Sequence, residues 1–168
     1  HNGDVELDAW LLFSQWFFPL TLPDEVYQTQ TNQYVIPNGY TIEEIADIVG
    51  NSWFFGKMEA SEARPILESR PIGSYLFRFS SQAGMYSLSV NYGQIGHWRI
   101  ESKKEGSQTT FRIDGRPYRS LHHIIETHKP GEETLAVRNS TVSCYLKFPV
   151  DRNEIKSNMG TEYEFGNL

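Results

Sequence analysis

Residues 73–80 read Gly-Ser-Tyr-Leu-Phe-Arg-Phe-Ser, an aromatic and aliphatic run that contains a single charge, Arg78. Aromatic residues at this density predict a β-strand. Alternation divides its side chains between two faces: Tyr75, Phe77 and Phe79 on one, Leu76, Arg78 and Ser80 on the other. A charge at such a position needs a partner, because desolvating it alone is costly. Arg78 therefore either forms a buried ion pair with a local carboxylate or is kept for an incoming anion.

Further short strands follow this one. Met85–Asn91 and Ile95–Glu101 have strand-like composition, and Thr109–Ile113 forms a shorter fourth run after a charged turn at Lys103–Ser107. Two helices are predicted, one before the strands at Ser61–Ser69 and one after them at Ser120–Lys129. The pattern predicts an α+β fold: a central antiparallel sheet of about three main strands, flanked by two helices and preceded by a short helical segment.

The first fifty residues are also predicted to be helical. Helical spacing of apolar side chains covers Val5–Phe18, Pro23 is well placed in a first turn of Thr21–Gln30, and Thr41-x-x-Glu44 is a capping box that opens Ile42–Val49. We expect these aromatic-rich helices to pack on the following domain or on another domain. The predicted division is a helical extension at 1–52, a domain at 53–138, and a C-terminal extension or tail at 139–168.

Composition limits the classes of function. The net charge of −6 argues against nucleic acid as a partner, yet the segment from Trp53 to Pro130 holds 11 Lys and Arg against 7 Asp and Glu. A basic centre in an acidic chain indicates a local anion site. A single cysteine, Cys144, fits a reducing compartment, and no stretch is long and apolar enough for a membrane anchor. We therefore expect a cytoplasmic protein without a membrane, nucleic-acid, metal or cofactor partner.

Five motifs, in order and with suitable gaps, resemble one family. Besides the strand at 73–80, they are Trp53-Phe54-Phe55-Gly56-Lys57-Met58, Tyr86-Ser87-Leu88-Ser89-Val90, Gly96-His97-Trp98-Arg99-Ile100 and Tyr118-Arg119-Ser120-Leu121. Together they resemble the Src-homology-2 (SH2) domains, which bind phosphotyrosine. The resemblance covers about 78 residues, and the helical extension lies outside it.

The resemblance implies a phosphotyrosine site centred on Arg78. A guanidinium forms strong bidentate bonds to a phosphate that carries a charge of about −1.5 to −2. The other residues that it implies as phosphate or ring contacts, or as supports for them, are Ser80, Ser81, Gln82, Ser87, His97 and Arg99. Peptide specificity is expected on the opposite side of the sheet, from Trp98, Ile100, Gly115, Thr127 and His128.

Two residues depart from the family pattern. Ala60 stands where the family usually has a second arginine, and Pro65 lies inside the predicted first helix, where it should remove a hydrogen bond. Either a nearby base (Arg64, Lys57 or Arg99) replaces the missing charge, or the pocket is weaker. The sequence thus predicts a non-catalytic adaptor or signalling module that binds tyrosine-phosphorylated proteins. The alternative is an SH2-fold scaffold that has lost phosphotyrosine binding and contacts proteins with its helical extension.

Overall fold

In the computed structural model of the chain, the structure describes residues 47–82, 85–105, 108–138 and 140–158. The helices predicted at Val5–Phe18 and Thr21–Gln30 lie outside these ranges. Of the third predicted helix, the described end at residues 47–50 is helical. Within the described ranges, no helix is both long enough and apolar enough to cross a membrane.

Besides the helical residues 47–50, the described residues form a six-stranded sheet, a two-stranded ribbon and three helices. The helices are α1 (Ala60–Glu68), α2 (Leu121–His128) and α3 (Arg152–Asn158). The strands are β1 (Ser74–Phe79), β2 (Met85–Asn91), β3 (Ile95–Glu105), β4 (Gln108–Ile113), β5 (Arg116–Tyr118), β6 (Leu135–Ala136), β7 (Ser143–Cys144) and β8 (Phe148–Pro149). The large sheet has the order β5-β4-β3-β2-β1-β8, and β6 pairs with β7. Its three central strands and the helices α1 and α2 confirm the predicted α+β class.

The charged turn predicted at Lys103–Ser107 is wrong in its first part. Strand β3 continues to Glu105, and its antiparallel pairing with β4 runs from Glu101 opposite Arg112 to Glu105 opposite Gln108. Charged residues favour turns only statistically, whereas each added ladder pair satisfies backbone groups. The Lys103 side chain is exposed, so its charge does not oppose the strand.

The two faces of the sheet pack against different helices. The aromatic face of β1, with Phe77 as its fully buried centre, packs in one core cluster with Leu121 and Ile124 of α2. On the opposite face, Leu76 packs with Leu67 of α1. Helix α1 thus covers the β1 face that carries Arg78, and α2 covers the other.

Asn91 at the end of β2 ties α1 to the sheet. Its side-chain amide donates to the carbonyl oxygens of Leu67 (3.0 Å) and Arg70 (2.9 Å), and its Oδ1 accepts from the N–H of Gly93 at 2.9 Å. These bonds satisfy carbonyls that the helix end leaves without helical partners. Asn91 therefore sets the position of α1 over the sheet.

Residues after 140 also contact the sheet. Strand β8 pairs in parallel with β1, and the N–H of Val150 donates to the carbonyl of Tyr75 at 2.9 Å. The Val150 side chain is fully buried in the cluster that holds Leu67 and Leu76. The division of the chain at residues 52 and 138 remains a prediction.

Candidate anion-binding site

Arg78 lies in β1 with only 5% of its surface exposed. Its Nη1 donates to the carbonyl oxygens of Met58 and Phe79, at 3.1 Å each, and its Nε lies 3.4 Å from Ser89 Oγ. Among the described residues, no carboxylate forms an ion pair with Arg78, and its Nη2 has no hydrogen-bond partner. The first interpretation from the sequence, a buried ion pair with a local carboxylate, thus finds no support within the described part of the chain.

Strand pairing places two of the predicted phosphate contacts in one row with Arg78. Arg78 is opposite Ser87 on β2, and Ser87 is opposite Arg99 on β3. Directly opposed side chains on neighbouring strands lie on the same face. Ser87 is buried and Arg99 is exposed, so the row leads from the interior to the surface.

His97 and Ser89 occupy the adjoining row on the same face. They are directly opposed on β3 and β2, and Ser89 Oγ lies 2.8 Å from His97 Nδ1. The fully buried Ser89 hydroxyl therefore connects His97 to Arg78. Ser89 belongs to one of the motifs that resemble the family, but the sequence did not single it out, since only the packed structure shows which serine meets the guanidinium.

Ser80, Ser81 and Gln82 lie at the end of β1. Ser80 is buried, and its Oγ accepts a hydrogen bond from the N–H of Gln82 at 3.2 Å. Ser81 and Gln82 are exposed at a bend that follows the strand. Ser80 shares the face of Arg78 by alternation, so the bend begins next to the guanidinium row.

The surroundings of Arg78 and His97 disfavour their positively charged forms. Burial lowers the pKa of Arg78, and the carboxylates of Glu59 and Glu62 raise it in part. Burial also lowers the pKa of His97, helped by the positive charges of Arg78 and Arg64. A guanidinium and an imidazole held in this way both gain from an incoming anion.

The position of the missing second arginine is on the first turn of α1. Ala60 begins that helix, which continues through Pro65 to Glu68 without interruption. All three candidate replacements, Arg64, Lys57 and Arg99, are exposed, and Arg64 pairs with Glu68 at 3.2 Å. Arg99 is the one that shares a row with Arg78.

The residues predicted to read the peptide lie on or near the other face. Trp98 is buried, and its Nε1 donates to the carbonyl of Ala136 at 2.8 Å. Ile100 is fully buried in the core. A Cβ at Gly96 would lie 2.7–2.8 Å from the rings of Tyr92 and Trp98, so this close approach requires glycine.

Gly115, Thr127 and His128 have different environments. Gly115 is exposed, with φ of +83°, in the turn between β4 and β5, and Thr127 Oγ1 donates to the carbonyl of His123 at 2.6 Å. His128 is 2% exposed and lies 2.8 Å from Tyr118 Oη and 3.1 Å from the carbonyl of Glu133. Both its ring nitrogens are thus engaged within the protein.

Comparison with known proteins identifies related sequences. A family model described as SH2 domain matches residues 53–128. Dual specificity protein kinase shkC of Dictyostelium discoideum is 33% identical over 98 residues, which are 56% of this chain and 19% of that kinase. Tyrosine-protein kinase abl-1 of Caenorhabditis elegans is 27% identical over 105 residues, 61% of this chain and 8% of that kinase. The chain thus spans less than a fifth of either protein.

A solved structure is also similar. The solution NMR structure of the SH2 domain of the Monosiga brevicollis CRK/CRKL homolog (crka1) has 26% identity and a TM-score of 0.49, over 61% of this chain and 88% of that one.

The family match extends from Trp53, at the start of the first resembling motif, to His128, the last residue of α2. It includes α1, the central strands and the Arg78 row. The predicted family is confirmed: residues 53–128 of this chain belong to the SH2 domains, a family of non-catalytic, phosphotyrosine-binding signalling modules.

Proposed function

We propose that this chain binds tyrosine-phosphorylated peptides and proteins through a pocket centred on Arg78, as a non-catalytic adaptor or signalling module. The observation that carries the proposal is the state of Arg78. Arg78 is 5% exposed, and its guanidinium is held by two carbonyls and a hydroxyl and has no carboxylate partner among the described residues.

The free-energy cost of burying this guanidinium supports the proposal that the ligand carries a negative charge. A buried cation held only by neutral groups is expensive, and such a group is retained when a charged ligand compensates it. Nη2 still offers donors, and a phosphate accepts them in the planar geometry of a guanidinium. Hydrogen bonds to charged groups contribute about 1.5–3 kcal/mol each, so this pocket supplies much of the affinity.

The rest of the pocket follows from the same face of the sheet. Ser87 and Arg99 complete the row of Arg78, and the bend at Ser81 and Gln82 offers hydroxyl and backbone donors. His97 acts through Ser89, as a positioning residue for the guanidinium. Because Arg78 is buried in the middle of β1, the pocket favours phosphotyrosine over phosphoserine, whose shorter side chain does not reach it.

A second candidate function is a scaffold that has lost phosphotyrosine binding. Ala60 favours it, since the first turn of α1 brings no second cation, and Glu59 and Glu62 bring negative charge close to Arg78. The two functions differ in one measurable property, the affinity gained when a tyrosine is phosphorylated.

A titration tests the proposal. A phosphotyrosine peptide, its unphosphorylated twin and a phosphoserine version are measured by calorimetry against the wild type, Arg78→Ala and Arg78→Lys. We expect binding of the phosphotyrosine peptide alone, a loss of about 2–5 kcal/mol in Arg78→Ala, and a partial loss in Arg78→Lys, which keeps the charge but not the fork.

The matched control is Arg119→Ala, which removes an arginine that is exposed next to α2. It should bind as the wild type does. Equal affinity of the wild type for the phosphorylated and unphosphorylated peptides would support the scaffold and contradict the proposed function.

A further inference from the structure

The N-terminal end of α1 brings two carboxylates to the Arg78 site. Arg78 Nη1 donates to the carbonyl of Met58 at 3.1 Å, and the next residue, Glu59, is the N-cap of α1. The backbone N–H of Glu59 donates to Glu62 Oε2 at 2.6 Å, which holds the second carboxylate at the same helix end. Both side chains are exposed. We call Glu59 and Glu62 the acidic edge of the site.

The charge of the acidic edge reaches the guanidinium. Both carboxylates raise the pKa of Arg78, against the larger lowering by burial. Within α1 they are offset only in part, because Ala60 is uncharged and Arg64, whose charge also lowers the pKa of His97, pairs with Glu68. A phosphate that binds Arg78 is therefore attracted by the guanidinium and repelled from the α1 side.

The site also has two basic residues outside α1. Arg99 belongs to the row of Arg78 but lies on β3, two strands from β1, and Lys57 precedes Met58 in the loop before α1. Both are exposed. Interactions between exposed charges are screened within about 8–10 Å, so each charge acts on the ligand residue nearest to it. The acidic edge should thus act on ligand residues close to the phosphotyrosine as well as on the phosphate itself.

We infer that the acidic edge makes this site select phosphotyrosine ligands with a lysine or arginine adjacent to the phosphotyrosine. The inference rests on the proposed function and names its ligand class. A basic residue one or two positions from the phosphotyrosine interacts with Glu59 and Glu62 and offsets their repulsion of the phosphate. An acidic residue there adds to that repulsion. Exposed ion pairs are weak, so the preference amounts to about threefold to tenfold in affinity.

The sign of the preference makes the inference testable. A site surrounded only by basic groups binds an acidic phosphopeptide more tightly than a basic one, whereas this site should do the reverse. Three peptides with the same central phosphotyrosine are compared by fluorescence anisotropy at about 50 mM and 300 mM salt. They carry lysines, serines or glutamates on both sides of it. The lysine peptide should bind tightest, and high salt should reduce its advantage.

The decisive variant is Glu59→Gln/Glu62→Gln, in which the glutamine introduced in place of Glu62 can still accept from the backbone N–H of residue 59 through its side-chain oxygen. Its control is Glu126→Gln on α2, the helix on the opposite face, which is also exposed. We expect the lysine-over-glutamate ratio to fall to about one or below in the double variant, which leaves only basic groups near the phosphate, and to persist in the control. Equal or reversed ranking in the wild type, or a ratio unchanged in the double variant, overturns the inference while leaving the proposed function intact. If no phosphopeptide binds at all, the proposed function fails first.

Discussion

Ser89 Oγ and His97 Nδ1 lie 2.8 Å apart, and the same hydroxyl lies 3.4 Å from Arg78 Nε. Since Nε can only donate, the hydroxyl accepts from Arg78 and its own proton is free to be donated to Nδ1. When the hydroxyl donates to Nδ1, the neutral imidazole carries its proton on Nε2. Two residues predicted from the sequence are thus joined by a serine that was not among the predicted contacts.

The two buried serines of β2 should have separable roles. Ser89→Ala leaves the Arg78 Nε without its acceptor and should lower the free energy of unfolding by about 1–3 kcal/mol. The Ser87 side chain makes no hydrogen bond to another described residue, so Ser87→Ala should change stability little and weaken phosphopeptide binding. Urea unfolding and peptide titration of both variants check this. A stability loss in Ser87→Ala as large as that in Ser89→Ala would contradict it.

His128 should make the stability of the domain depend on pH. Burial lowers its pKa by more than the hydrogen bond to the Glu133 carbonyl raises it, and the other ring nitrogen lies 2.8 Å from the Tyr118 hydroxyl. The unfolded chain, with a histidine pKa of about 6.5, binds the proton first as pH falls. The stabilisation is thus complete above about pH 6.5 and is lost as pH falls through the lower pKa of the folded state.

The measurement for His128 is urea unfolding at several pH values between about 5.5 and 7.5. The free energy of unfolding of the wild type should decrease towards the acidic end. His128→Gln should be less stable at neutral pH but show a shallower slope, part of which remains because the pKa of His97 is also lowered. The same slope in wild type and variant would exclude His128 as the source.

Restoring the second arginine should strengthen the site. In Ala60→Arg, the new side chain starts from the first residue of α1, two residues after the carbonyl that accepts from Arg78. A new charge-assisted hydrogen bond to the phosphate should improve binding by about 1.5–3 kcal/mol. The control is Ser61→Arg, which adds the same charge at the next, exposed position. Equal gains in both variants would show that general charge, not position, is responsible.

The segment after residue 140 should contribute to stability. Val150 is fully buried against Leu67 and Leu76, so Val150→Ala should cost about 1.5–3 kcal/mol. Val142, which is 46% exposed, provides the matched control, and Val142→Ala should cost less than about 0.5 kcal/mol. Thermal and urea unfolding distinguish the two. A negligible cost at Val150 would favour the predicted domain end at residue 138.

Local patterns in the sequence were sufficient for the architecture near Arg78. Alternation along 73–80 predicted that Leu76, Arg78 and Ser80 share a face, and the pairing of Arg78 with Ser87 agrees with it. The hydroxyl at position 120 caps α2, as the predicted helix start requires, by accepting from the N–H of His123. These features depend on neighbours in sequence, which is why a single chain displays them.

The extent of β3 was not predictable in the same way. Its last residues are charged and resemble a turn, but pairing with β4 keeps them in the ladder as far as Glu105. No sequence motif marks Asn91 either, yet its side-chain amide holds the end of α1 through the carbonyls of Leu67 and Arg70. Such effects come from partners that are distant in sequence.

By itself, the sequence determined the family, the α+β class and the strand face of Arg78, because periodicity and spaced motifs are properties of the linear chain. Only the tertiary structure decided the surroundings of that arginine. Packing of α1 brings the Met58 carbonyl and the acidic edge to it, and pairing of β1 and β2 brings Ser89. Hydrogen bonds and desolvation depend on distances of a few ångströms between residues far apart in sequence, and those distances exist only after the chain has folded.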